Sequence, residues 1–337
     1  MSEHQHDLDP MAVMRLASAY WHSSVIHVAN QLDLFTQLEK SAKNAAELAR
    51  DCEADERGIE MIAIACVDLG LLEKEQGRYR NSALAKTFLV RSSPRFQGGI
   101  VSMFEAWVPA WGQLADAVRT GRPVVEKQHD KGPDQTRKYI MGMLYRGIPQ
   151  AELLAQQLPL TGKQRLLDVG GGPGIFAILF CQKNPGLTAQ VFDLPQTLTI
   201  TQEIISQYQM QETVTTKPGS YLTDEFGEEQ SYDAVLLSSM INQEGPEVVQ
   251  AIMEKAFRVL RPGGMLILQE QLLNDEKTGP LLAVLIGLNQ LVHTPAGRAY
   301  SGNELAVLAD KVGYREIKYK PLSEPSPFTL LVAVKPG

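Results

Sequence analysis

Leu166-Leu167-Asp168-Val169-Gly170-Gly171-Gly172-Pro173-Gly174 joins an apolar strand pattern to a glycine-rich turn, and a helical pattern begins behind it at Ile175. Strand, glycine turn and helix in that order open a nucleotide-binding βαβ unit. Without Cβ atoms, Gly170 and Gly172 let the backbone approach a ligand closely. Pro173 suits the first turn of the helix. The next strand pattern ends at Phe192-Asp193-Leu194-Pro195, which puts Asp193 where an acid accepts hydrogen bonds from ribose hydroxyls. A glycine turn alone is explained equally well by chain geometry. Together with the acid of the second strand it points to a nucleoside cofactor. A dinucleotide fits poorly, because its fingerprint wants Gly or Ala three places after Gly172, where this chain has Ile175.

Outward from this turn the C-terminal half alternates between strands and helices. Short apolar runs at 165–169, 189–192, 214–217, 234–237 and 265–269 are separated by helical patterns at 175–183, 198–208 and 247–260. Such alternation builds a parallel sheet with helices on both faces. The last two strand patterns, 316–319 and 329–334, are separated by a short loop and so read as an antiparallel hairpin. The N-terminal half is written differently. Residues 11–38 carry a helical apolar pattern, and Asn44 with Glu47 forms a capping-box start. Residues 45–72 split into two short helices around 53–55. A polar stretch at 73–80, with Gly77 between two strand edges, completes the outline of a winged helix. Trp107 and Trp111 share a helix face if Pro109 is tolerated, and a further helix at 134–154 leads into a polar linker at 161–164. The expected domains are therefore 1–160, helical, and 161–337, α/β.

Charge and composition narrow the function. A formal net charge of −7 with dispersed Lys and Arg argues against a phosphate-neutralising surface. The helix expected to read DNA in a winged-helix regulator, 55–69, carries Glu56, Glu60 and Asp68 against a single Arg57. That is the wrong sign for a phosphate-facing helix. Its apolar residues Ile59, Met61, Ile62, Ile64 and Val67 suit a subunit interface better, so a homodimer joined through the N-terminal helices is expected. No apolar run is long enough for a membrane helix. Residues 1–10 are polar and acidic, unlike a secretory signal. The three cysteines, Cys52, Cys66 and Cys181, are scattered and suit free thiols in a reducing, cytoplasmic compartment. No metal site is expected, because His293 and Glu270 lack a third ligand at suitable spacing.

Taken together, the motifs resemble the dimeric small-molecule O-methyltransferases of class I fold, typified by plant caffeic-acid-type and bacterial antibiotic-tailoring enzymes. The resemblance spans nearly the whole chain. It runs from Leu32-Asp33-Leu34-Phe35 and Tyr139-Ile140-Met141-Gly142-Met143 through the glycine turn and Asp193. It continues to Arg261-Pro262-Gly263-Gly264 and His293-Thr294-Pro295-Ala296-Gly297-Arg298. It implies a Rossmann-like sheet with a C-terminal antiparallel hairpin, preceded by a helical, winged-helix-like dimerisation domain. It also implies S-adenosylmethionine as cofactor. Asp168, Gly170 and Gly172 would then line the methionine part, Asp193 would hold the ribose, and Leu194 would pack near the adenine. Ser220, Tyr221 and Ser238 would complete the cofactor site. Met143 would lie near the transfer centre, although an apolar helix explains a core methionine as readily. Trp107, Met240 and Asn289, with Trp111, Phe104 and Met141, are candidates to line an acceptor cavity for an aromatic or conjugated molecule.

The chain departs from the family at the base. After the fourth strand the family usually reads Leu-His-Asp-Trp, whereas this chain reads Ser238-Ser239-Met240-Ile241-Asn242-Gln243-Glu244. An amide at 242 can orient an acceptor but cannot take its proton. The family's acid at the end of the fifth strand is kept as Glu270, and a second acid is replaced by Ala299. A simple phenol is ionised to only ~0.1% at neutral pH, a handicap of ~4 kcal/mol. A general base typically returns a factor of ~100 to 10,000. Either His293 or Glu270 takes over, or the acceptor is already nucleophilic, or the bound sulfonium serves a rearrangement, decarboxylation or hydroxylation instead.

Overall fold

The computed structural model describes residues 9–125, 132–322 and 326–337. The reading of the first residues as unlike a secretory signal concerns, apart from 9 and 10, positions outside the described residues. The chain divides into two compact units, Met1–Ala106 and Trp107–Gly337.

In the first unit the pattern at 11–38 forms three helices, α1 (Pro10–Ser18), α2 (Tyr20–Gln31) and α3 (Leu34–Gln37), where one continuous run was expected. Asp33 breaks the last join by adopting the left-handed conformation, φ 54°. Next come α4 (Ala45–Asp51) and α5 (Glu56–Asp68). The Asn44–Glu47 capping box forms in both directions, at 2.9 Å each way. Strands β1 (Leu72–Glu75) and β2 (Arg78–Asn81) pair antiparallel. Their two-residue turn places Gln76 and Gly77 at φ 49° and 75°, the primed geometry that matches strand twist. Helix α6 (Ala83–Phe88) follows, and α7 (Gly98–Trp111) tolerates Pro109 and carries the unit boundary. The expected stripe on α5 divides. Ile59 is buried with Ala63 and Cys66, while Met61 and Ile64 are exposed. Met11, Val13, Met14, Leu16, Tyr20 and Trp21 of the first two helices are exposed as well.

The second unit contains α8 (Leu114–Thr120) and the long α9 (Pro133–Gln157). Then the alternation begins: β3 (Arg165–Val169), α10 (Ile175–Lys183), β4 (Thr188–Asp193), α11 (Pro195–Gln207), β5 (Val214–Pro218) and β6 (Tyr232–Ser238). A 3₁₀ turn (Ile241–Gln243) precedes α12 (Pro246–Val259) and β7 (Leu260–Glu270). Helices α13 (Leu281–His293) and α14 (Gly302–Val312), not expected from sequence, lead to β8 (Arg315–Pro321) and β9 (Thr329–Val334). The sheet order is β5-β4-β3-β6-β7-β9-β8, parallel up to β7 and antiparallel for the final hairpin. Strand order reverses between β3 and β6, and ligands of open α/β sheets bind outside the C-terminal strand ends at such a switch.

Alternating side chains feed two cores. Ala234 and Leu236 of β6 join the cluster packed against α9, α10 and α11. Val235 and Leu237 join the one packed against α12 and α14. Because Ile140, Leu144, Ala151 and Leu154 of α9 belong to the first of these cores, that helix is part of the α/β unit. The unit boundary accordingly falls at 106/107, upstream of the linker at 161–164.

Candidate active site

At the C-terminal ends of β3, β4 and β6 lies a cavity of about 460 Å³, within the usual range for small-molecule sites. Most candidate residues named from sequence line it: Asp168, Gly170, Gly172, Asp193, Leu194, Ser220, Tyr221, Ser238, Met240, Asn242, Met143, Trp107, Asn289 and His293, while Glu270 does not. Trp111, Phe104 and Met141, offered as further lining, do not border it.

One end of the cavity is shaped by backbone. Gly170 and Gly172 have φ of 64° and 52°, and a Cβ on Gly172 would enter open space. Gly171 has no such room, since its Cβ would stand 2.7 Å from the Asp168 carboxyl carbon. Pro173 lies in the turn, outside the first helical turn expected for it, because Gly174 at φ 74° is the N-cap of α10. Asp193 is held by two amides: Gly172 N–H donates to Oδ2 at 2.8 Å and Leu194 N–H to Oδ1 at 2.7 Å. The carboxylate is therefore held in a fixed orientation in the cavity wall. Beneath the turn Asp168 is fully buried, and neither of its oxygens completes a hydrogen bond among the described residues. Burial pushes its acid up to about 7, offset in part by the nearby Ala177 amide. The Ser238 hydroxyl in the same wall is also unsatisfied. The open glycine cradle, the amide-braced acid and the unsatisfied polar atoms fit an adenosyl amino acid, whose hydroxyls and ammonium would supply the missing donors. Tyr221 donates to Glu244 at 2.9 Å, which fixes its ring at the cavity edge.

The other end is a network of side chains from separate elements. Ser239 adopts φ 55°, a left-handed turn at the end of β6 that directs the 3₁₀ turn across the strand ends. Asn242 is thereby buried and donates from Nδ2 to Glu270 Oε1 at 3.1 Å. Glu270 lies behind Asn242, where it is fully buried; Gln271 N–H also donates to Oε1, at 3.2 Å. Burial raises the Glu270 acid to about 7. Gly297 allows the loop after α13 to pass close, since a Cβ there would meet the Asn242 carbonyl at 2.7 Å. His293 is the last residue of α13 and not a loop residue as expected. Its Nδ1 lies 2.8 Å from the Asn289 carbonyl, which makes Nδ1 the donor and Nε2 the acceptor of the neutral ring. The Trp107 ring is tilted against it at 5.9 Å. Trp111 Nε1–H donates to Asn289 Oδ1 at 2.9 Å, so Asn289 ties both tryptophan-bearing and histidine-bearing helices together.

Sequence reading missed Arg146 and Gln150, which line the cavity beside Tyr139 and Met143. The spacing 139, 143, 146, 150 is one helix face, a signal available in the sequence. Among the described residues no cluster of three metal-ligating side chains occurs, and no helix is long and apolar enough to cross a membrane.

Residues 111–315 match the O-methyltransferase domain family, and residues 14–91 match the O-methyltransferase dimerisation domain. The chain is similar to the 3-hydroxy-5-methyl-1-naphthoate 3-O-methyltransferase of Streptomyces sahachiroi, with 30% identity over 97% of this chain and 95% of that one. It is also similar to the L-tyrosine C(3)-methyltransferase of Streptomyces lavendulae, with 26% identity over 95% and 90%. Among solved structures, human N-acetylserotonin methyltransferase in complex with S-adenosylmethionine aligns with a TM-score of 0.89 at 23% identity, covering 99% of each chain.

Proposed function

The chain belongs to the O-methyltransferase family and is an S-adenosylmethionine-dependent methyltransferase, and on that premise we propose that it methylates a hydroxyl of an aromatic or conjugated small molecule, with His293 as base. The observation carrying this reading is the tautomer of His293. Its Nδ1–H is committed to the Asn289 carbonyl, so the basic nitrogen is Nε2, in the same cavity as the glycine turn. The naphthoate substrate named for one relative and the apolar wall of Trp107 and Met143 support an aromatic acceptor.

S-adenosylmethionine, when bound, supplies an activated methyl group on a positively charged sulfur. The glycine turn and Asp193 would hold its adenosyl part, and Asp168 and Ser238 would face the amino-acid part. Asn242, kept in place by Glu270, orients the acceptor oxygen with its amide. His293 Nε2 would take the acceptor's hydroxyl proton, which offsets the poor nucleophilicity of a neutral phenol. Glu270 touches neither partner in this scheme; it positions Asn242. The exposed apolar side chains of α1, α2 and α5, within the matched dimerisation domain, support a homodimer. The three unpaired cysteines support a cytoplasmic setting.

The amide at 242 favours a second reading, in which the acceptor is already nucleophilic at carbon, nitrogen or sulfur. Incubation with S-adenosylmethionine and a panel of acceptors, including a hydroxynaphthoate and the matching naphthol, separates these. S-adenosylhomocysteine and an aryl methyl ether are expected. Turnover of the acceptor without S-adenosylhomocysteine would rule out methylation altogether.

A further inference from the structure

Residues 219–226, which follow β5, run without helix or strand, yet most of their carbonyls are bound by two lysines. Lys255 of α12 donates from Nζ to the carbonyls of Tyr221, Leu222 and Asp224 at 3.0, 3.1 and 3.0 Å. An ammonium has three protons, so this one is fully committed to a single loop. Lys217 of β5 takes the next two carbonyls, Glu225 at 3.5 Å and Phe226 at 3.0 Å. The ammonium of Lys255 also lies 5.6 Å from the centre of the Phe226 ring, and that of Lys217 lies 5.8 Å from the centre of Phe192. Among the described residues no carboxylate comes within 4.0 Å of either lysine. Their charge serves the backbone of the loop and not an ion pair.

The shape so held is a single turn. The amides of Thr223 and Asp224 donate to the Ser220 carbonyl at 3.2 and 2.9 Å, and the Asp224 carboxylate accepts from the Ser220 amide at 2.8 Å. One isolated turn fixes several dihedrals for few bonds and does not hold by itself. This one nonetheless carries Ser220, Tyr221 and Leu222 in the cavity wall, while Lys255 does not border the cavity. We propose that Lys255 is a positioning residue of the cofactor end, which presets that stretch of wall by binding three of its carbonyls from behind. A loop already held in its bound shape loses less freedom when a ligand arrives, so affinity rises without a new contact. The inference rests on the reading of Ser220 and Tyr221 as cofactor-site residues.

Titration calorimetry with S-adenosylhomocysteine tests it on the full-length wild type, Lys255→Met, Lys255→Arg and a control, Lys335→Met. Lys335 also donates to backbone carbonyls, those of Phe257 and Leu260 at 2.8 Å each, but neither residue borders the cavity. Lys255→Met is expected to weaken binding by ~10-fold or more, the worth of a charge-assisted hydrogen bond. Lys255→Arg should recover part of the affinity. Lys335→Met should lower the melting temperature and leave the affinity at the wild-type level. Hydrogen exchange at the Thr223 and Asp224 amides should quicken in Lys255→Met and not in the control. Should Lys255→Met fail to melt cooperatively, the milder Lys255→Gln is read by the same criteria. Unchanged affinity on loss of the Lys255 charge, or an equal loss in Lys335→Met, overturns the role given to Lys255. A wild type that binds no S-adenosylhomocysteine overturns the cofactor reading itself.

Discussion

The two ends of the cavity are built from different materials. At the glycine turn the ligand-facing groups are backbone conformations, braced by an acid of the adjacent strand that accepts from the amides of Gly172 and of its own neighbour Leu194. At the Asn242 end they are side chains from separate stretches, Asn242, Asn289, His293 and Trp107, two of them held by single hydrogen bonds from behind: Asn242 to Glu270 and Trp111 to Asn289. A backbone cradle depends on local chain geometry and changes little when side chains change. A side-chain network can exchange a histidine for an amide and still close its hydrogen bonds, as Asn242 does with Glu270. The first end is therefore suited to a constant cofactor and the second to a variable acceptor.

The contrast yields effects of decreasing size. His293→Gln should lower the methylation rate by ~100- to 10,000-fold, while S-adenosylhomocysteine affinity stays at the wild-type level. Steady-state kinetics with calorimetry checks it, and an unaltered rate would remove the base from the acceptor end. Asp193→Ala should act in the opposite sense. Loss of its contacts is expected to weaken S-adenosylhomocysteine binding by about 100-fold, as the sum of charge-assisted hydrogen bonds implies. Equal affinity would show that the acid merely ties down the turn.

A third, smaller effect is in stability. The Glu270 acid sits at about 7 in the folded protein, above its ordinary value, so the folded state binds the proton more tightly than the unfolded chain. Its contribution is thus fully present below the ordinary carboxylate range and is lost as pH rises through 7. Replacing it by glutamine should remove about 2 kcal/mol of the decline in unfolding free energy between pH 5 and 8, measured by denaturant titration at both values. An unchanged pH slope would mean that Glu270 ionises normally. Smallest of all, Trp111→Phe removes the bond to Asn289 and should cost about 1 kcal/mol of unfolding free energy, read from the same titrations. A variant as stable as wild type would show that the link holds nothing in place.

The same contrast explains what could be read from the amino acids alone. Strand β3 and helix α10 lie at the residues expected, because glycine and proline punctuate short apolar runs whose period is unambiguous. The hairpin at β8 and β9 followed from a loop too short for a crossover. Helix α13 escaped notice because Leu281–His293 is apolar on nearly every side, which erases the 3.6-residue contrast. Helix α14 could have been found, since Ser301 and Glu304 form a capping box before it. At the acceptor end the residue types were visible, but their pairing was not. That Glu270 sits behind Asn242 depends on the left-handed turn at Ser239, a conformation that no side chain announces. Arg146 was passed over because one arginine on a polar-looking helix is ordinarily a solvated charge.

A crystal structure of the complex with S-adenosylhomocysteine tests the central claim most directly. The adenosyl group should lie over Gly170–Gly172, with both ribose hydroxyls within hydrogen-bonding distance of the Asp193 carboxylate and the sulfur facing the side of the cavity that holds Met143 and His293. Density for the nucleoside at any other place on the chain, or a ribose turned away from Asp193, would contradict the account.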